Sequence, residues 1–268
     1  MYITKPADYP QSPSKLLLFL TGGTGVRSTN NQVQADRFAE KGFLVVMPDM
    51  FENDPAPNLS AEDETNPSII EQFKMAAAAT AKSFMIDMWL ARHTPEKILP
   101  VIHKVLDGAK EEFADAVANG DGIYGVGYVS CSLHEVHIPP IDIFKCTGGR
   151  IILLLASEKP NTVLWGQKQT NEEVGIAKKG PLIKAGAIAH ASLVAQEDFS
   201  GVKAPLTIAC VHNDALFPQE VLDAGEKYMK ENGVEHELQL YSGVPHGKLT
   251  VILRLLNKKL ITILQDLL

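Results

Sequence analysis

Short apolar runs alternate along the chain with longer stretches in which apolar positions recur every three or four residues. The runs are Lys15–Leu20, Phe43–Met47, Ile123–Tyr128, Ala185–His190, Leu206–Val211 and Glu237–Tyr241. Several are continuously apolar, the pattern of strands covered on both faces of a mainly parallel sheet. The periodic stretches predict helices over Asn31–Lys41, Ile69–Trp89, Glu96–Asn119, Gly149–Ser157, Gln219–Asn232 and Leu249–Leu268. Repeated strand–helix–strand alternation predicts an α/β fold, a mainly parallel sheet with helices on both faces. There is no internal repeat, and Pro55–Pro67 is polar and turn-rich like a loop, so residues 1–268 are expected to form one domain. In the last segment Leu249, Ile252, Leu256, Leu260, Ile263 and Leu267 share one helical face, which suits core packing.

Charge narrows the partners. The net charge is −7, with no cluster of Lys or Arg. Nucleic acids and anionic membranes need a basic footprint, so neither is the expected partner. Residues 1–15 contain no apolar signal segment, and the runs Leu16–Leu20 and Ile151–Ala156 are far too short to cross a bilayer. Three cysteines, Cys131, Cys146 and Cys210, cannot all pair with one another. The expectation is a soluble, reduced, cytoplasmic protein.

Candidate chemistry begins after the first run, at Thr21-Gly22-Gly23-Thr24-Gly25. Three readings fit. Glycines there would let a dinucleotide pyrophosphate approach a helix N-terminus. That reading is weakened because Ser28 stands where a third glycine of G-x-x-G-x-x-G would fall, and no tyrosine has a lysine four residues later. Alternatively, Gly22, Gly23 and Thr24 offer backbone N–H groups to an oxyanion. The third reading is a plain structural turn.

Two residues further along suit acid–base work. Leu206–Val211 runs into His212-Asn213-Asp214, and α/β folds place site residues just beyond strand C-termini. The competing role for Asp214 is capping the helix that follows. After the last run comes Tyr241-Ser242-Gly243-Val244-Pro245-His246-Gly247, a histidine in a Gly/Pro-bounded loop. An acid followed by a histidine is the chain order of nucleophile–acid–His hydrolases.

These motifs carry a resemblance. Asn213-Asp214-Ala215-Leu216-Phe217-Pro218 and Ser242-Gly243-Val244-Pro245-His246-Gly247 resemble the acid and histidine motifs of dienelactone hydrolases, particularly the fungal branch. So do Val46-Met47-Pro48-Asp49-Met50-Phe51, Trp89 to Glu96, and Ile188-Ala189-His190-Ala191-Ser192. The resemblance spans about Ser14 to Gly247 and implies the α/β-hydrolase fold. It also implies hydrolysis of a small carboxylic ester or lactone with no cofactor and no metal. His190 would line the pocket, although Ala191 replaces the proline that relatives carry there.

Family members hold a cysteine nucleophile in a Gly-x-Cys-x-Gly elbow between a strand and a helix, which favours the thiolate. This chain has no contiguous elbow. Ile123-Tyr124-Gly125-Val126-Gly127-Tyr128 resembles its first half, and Cys146-Thr147-Gly148-Gly149-Arg150 its second. Removing the intervening 17 residues, Val129–Lys145, restores Gly127-Tyr128-Cys146-Thr147-Gly148. Seventeen codons are 51 nucleotides, and Val and Lys codons can supply GT and AG boundaries, so the segment reads as a retained intron. The resemblance thus implies Cys146 as nucleophile, with the Thr147 N–H as an oxyanion donor. Cys131 is a rival without a following helix, and a chain lacking a working nucleophile is the third possibility. His134-Glu135-Val136-His137 lacks the spacing of a metalloprotease helix. After Gly247 the chain passes directly to Lys248-Leu249, where relatives continue with Phe and a loop.

Overall fold

The core grows outward from β2, Lys15–Leu20, whose Leu16, Leu17, Leu18, Phe19 and Leu20 are completely buried. Burying each such side chain contributes roughly 2 kcal/mol. The computed structural model describes residues 1–57, 81, 84–128, 147–159 and 180–243. Its other strands are β1 (Tyr2–Thr4), β3 (Phe43–Met47), β4 (Ile123–Tyr128), β5 (Ala185–Ala189), β6 (Leu206–Val211) and β7 (His236–Tyr241). They form one sheet in the order β1-β3-β2-β4-β5-β6-β7, parallel throughout except for β1 against β3. Helices are α1 (Thr29–Ala39), α2 (residues 84–92), α3 (Pro95–Glu112), α4 (Ala114–Asn119), α5 (Thr147–Leu155) and α6 (Gln219–Glu231).

Alternation along β2 separates two cores. Leu16, Leu18 and Leu20 pack with Trp89 of α2, Ile98 and Ile102 of α3, Ile151 and Leu155 of α5, and Leu222 of α6. Leu17 and Phe19 pack with Ala35 and Phe38 of α1 on the opposite face. A sheet covered on both faces needs apolar side chains at every position, which is why its strands are continuous apolar runs.

Two elements differ from the sequence expectation. The single helix over Glu96–Asn119 is two, because Phe113 leaves helical geometry (φ −123°, ψ 43°) and buries its ring. Strand β1 was not foreseen; three residues are too few to show a period, and its pairing with Val45–Met47 is a tertiary event. The segment Leu249–Leu268 and most of Ile69–Trp89 lie outside the described residues. No described helix is long and apolar enough to cross a membrane.

The sheet order matters for the site. After β2 the chain moves to one side to form β3, then returns past β2 to form β4 on the other side. Connections therefore diverge between β2 and β4, and the carboxyl ends of those strands open a crevice where α/β folds bind ligands.

Candidate active site

At the carboxyl end of β2, the turn Thr21–Gly25 is held by bonds to its carbonyl groups. The Gly25 N–H donates to Gly22 O (3.1 Å), and the Ala56 N–H donates to Gly23 O (2.8 Å). Asn31 Nδ2, from the first turn of α1, donates to Gly25 O (2.7 Å) and to Thr24 Oγ1 (3.1 Å). The loop bearing Ala56 is fixed in turn. Trp89 Nε1 donates to Asp54 O (2.7 Å), and Arg92 Nη2 pairs with Asp54 Oδ2 (3.0 Å).

Across the crevice, β4 runs into the start of α5 with no space between them. A Cβ on Gly127 would stand 2.5 Å from Gly148 O and 2.8 Å from Gly149 N. A Cβ on Gly148 would stand 2.7 Å from both Leu20 O and Thr21 O. No side chain fits at those distances, so only glycine lets the ends of β2 and β4 and the start of α5 converge. Gly127 and Gly148, the two glycines that the sequence reading assigns to an interrupted elbow, touch. Val129–Lys145, Cys131 and Cys146 lie outside the described residues. Thr147 is buried, and neither its hydroxyl nor that of Thr21 has a hydrogen-bond partner among the described residues. The first turn of α5 is anchored by Arg150, which grips buried Asp198 through Nε (2.8 Å) and Nη2 (3.1 Å). Such a two-pronged pair fixes direction as well as position.

Asp214 stands three residues beyond β6 and is buried (7% exposed). Its Oδ1 accepts the Leu216 N–H at 3.0 Å. It does not cap α6, whose N-cap is Pro218. That removes the capping role and leaves a buried carboxylate at the carboxyl edge of the sheet. The adjacent strand ends beside it, since the His212 N–H donates to Tyr241 O (2.9 Å). His246 lies outside the described residues, five positions past Tyr241. Strand β6 is two places from β4 in the sheet, about 10 Å.

His190 follows β5 with φ +50°, a left-handed conformation uncommon for a side chain of its size, and is fully buried. Its N–H donates to Ala209 O (3.0 Å), and the adjoining Ala191 packs against Gly149 of α5. Its ring is therefore covered, flanking the crevice on the β5 side.

Cys210 lies inside β6, where burial, and secondarily the Asp214 charge, push its thiol up to about 12. It therefore remains a protonated, inaccessible thiol at neutral pH. Alkylation by iodoacetamide at pH 8, followed by peptide mass spectrometry, is expected to spare Cys210 until the protein is unfolded.

Sequence reasoning missed Asn31, Asp54 and the Arg150–Asp198 pair. Asn31 left a trace: with Ala35 and Phe38 it occupies the buried stripe of α1, so a polar residue stands at a core position. The Asp54 and Asp198 contacts join segments remote in sequence and have no local signature.

The fold agrees with comparison to known proteins. Residues 173–250, which include β5, β6, Asp214 and β7, match the model of the dienelactone hydrolase family. Over those residues the chain is similar to the dienelactone hydrolase family. Its relatives include hydrolase pyvD of Aspergillus violaceofuscus, 25% identical over 92% of this chain and 74% of the relative. Hydrolase tropI of Talaromyces stipitatus is 26% identical over the same shares of the two chains. Dienlactone hydrolase 1 of Gibberella moniliformis is 25% identical over 92% of this chain and 72% of its own. Among solved structures, one described as a dienelactone hydrolase from Klebsiella pneumoniae superimposes with a TM-score of 0.58 at 15% identity, covering 91% of this chain and 80% of that one. An esterase from Thermogutta terrifontis with propionate bound gives 0.57 at 15% identity, covering 98% and 88%. At that identity the structural likeness is one of fold, and it is the α/β-hydrolase fold.

Proposed function

We propose that the chain hydrolyses carboxylic esters or lactones through a triad of Cys146, His246 and Asp214. The contact between Gly127 and Gly148 carries this reading. It brings together, at the switch point of the sheet, the two segments read as halves of a nucleophile elbow, with a buried carboxylate two strands away. The match of residues 173–250 to the family model and the printed names of the relatives, hydrolases and a dienlactone hydrolase, support the reaction class.

In this route His246 removes the thiol proton as the Cys146 sulfur attacks the substrate carbonyl. Asp214 orients the imidazole and stabilises its charged form. The carbonyl oxygen takes up negative charge, which the N–H of Thr147 and one from the Gly22–Thr24 turn receive. Collapse breaks the ester C–O bond, the imidazolium gives its proton to the leaving alcohol, and an acyl thioester remains. Water, deprotonated by His246, then releases the acid and restores the thiol. No cofactor enters these steps.

A second reading is favoured by one specific observation: the 17 residues between Tyr128 and Cys146. An elbow aims its nucleophile because strand and helix are joined by a tight turn, and this chain lacks that direct joint. On this reading it is an impaired or non-catalytic member of the fold. Hydrolysis of p-nitrophenyl acetate separates the two. Activity that disappears in Cys146→Ala supports the triad, whereas activity that survives the substitution, or is absent with and without Val129–Lys145, contradicts it.

A further inference from the structure

We propose that Asn31 is a positioning residue, which fixes the oxyanion-binding turn so that the Gly23 and Thr24 N–H groups face the crevice. The inference rests on the hydrolase reading above and adds a residue to its machinery.

The turn has a consistent polarity. The carbonyls of Gly22, Gly23 and Gly25 are all engaged, by the Gly25 N–H, the Ala56 N–H and Asn31 Nδ2. In a trans peptide the C=O and the following N–H point in opposite directions. The cis bonds among the described residues are at Tyr9-Pro10 and Gly180-Pro181, so these peptides are trans. Engaging Gly22 O and Gly23 O therefore turns the N–H groups of Gly23 and Thr24 the other way. Neither amide has an acceptor among the described residues. Donors held in place before the reaction, with no partner to give up, are what stabilise a developing oxyanion.

Asn31 supplies two of the bonds that hold this turn. It is 1% exposed, and both of its side-chain bonds are donated into the turn, one to Gly25 O and one to Thr24 Oγ1. It thereby grips the residues directly after the two outward-facing amides, while Ala56 grips from the other side. A leucine of similar size would fill the space and donate nothing. The turn would then be tied through Gly22 O, Gly23 O and the longer bond from the Ser28 N–H to Gly25 O (3.4 Å).

The test uses the full chain labelled with ¹⁵N-glycine and ¹⁵N-threonine, comparing wild type, Asn31→Leu and Thr24→Val. Thr24→Val removes one acceptor and leaves the Gly25 bond, so it remains informative where Asn31→Leu does not fold. For p-nitrophenyl acetate, kcat per folded molecule is expected to fall about tenfold to a hundredfold in Asn31→Leu with KM little changed. Thr24→Val should fall less. The Gly23, Thr24 and Gly25 amide signals should shift, and their hydrogen exchange should quicken. A merely structural Asn31 would lower the thermal midpoint yet leave kcat per folded molecule and the turn signals at wild-type values; that result overturns the proposal. Esterase activity absent both with and without Val129–Lys145 overturns the hydrolase reading instead, and the amide signals still decide whether Asn31 holds the turn.

Discussion

Deleting Val129–Lys145 is expected to raise p-nitrophenyl acetate hydrolysis by at least about a hundredfold over the chain that keeps them, because misplacing a reacting group by about 1 Å already costs that much. The physical basis is the closeness of the segment's two ends. Gly127 and Gly148 are in contact, so the chain leaves the sheet and returns at nearly the same point. Each side has packing of its own among the described residues: β4 pairs with β2 and β5, and α5 is anchored by Arg150 to Asp198. Joining Tyr128 to Cys146 would make the tight turn that aims the sulfur without disturbing those contacts. Equal thermal midpoints for the two chains, with activity gained only by the shorter one, are the expected pair of results. A shorter chain that folds and is no more active would show that the interruption is not what limits this protein.

Asp214→Asn in the shortened chain is expected to lower kcat on the order of a thousandfold to ten-thousandfold while leaving the fold intact. An amide in that place still accepts the Leu216 N–H, but it no longer selects the imidazole tautomer that can take the thiol proton. The cost in stability should be about 1 kcal/mol, the scale of one altered hydrogen bond, because Pro218 rather than Asp214 caps α6. Urea unfolding and steady-state kinetics on the same preparation check both halves. A large loss of stability with little change in kcat would return Asp214 to a purely structural role.

Much of the architecture was legible in the sequence because burial on both faces writes strands as unbroken apolar runs. Leu16–Leu20 and Leu206–Val211 could hardly be read otherwise. Boundaries were less visible. The apolar period of α3 continues through Phe113, so nothing local announces the break that lets this ring enter the core. The position of Asp214 beyond β6 followed from strand order, but its freedom from the α6 cap needed coordinates. The glycines at 127 and 148 could be recognised as halves of one motif, and only the fold shows them meeting. Asn31, Asp54 and Asp198 act through contacts between distant segments, and such contacts leave no periodic signal. The polar residue on the apolar stripe of α1 was the one clue, and it points to a partner without naming it.

Acyl trapping tests the central claim most directly. The full and shortened chains are quenched in acid during turnover of p-nitrophenyl acetate, digested, and searched by mass spectrometry for an acetyl group. The account predicts a hydroxylamine-sensitive acetyl thioester on the peptide containing Cys146, far more abundant in the shortened chain and lost in Cys146→Ala. Acetyl found instead on Cys131 or on a serine oxygen, or turnover with no acyl-enzyme on Cys146, would contradict it.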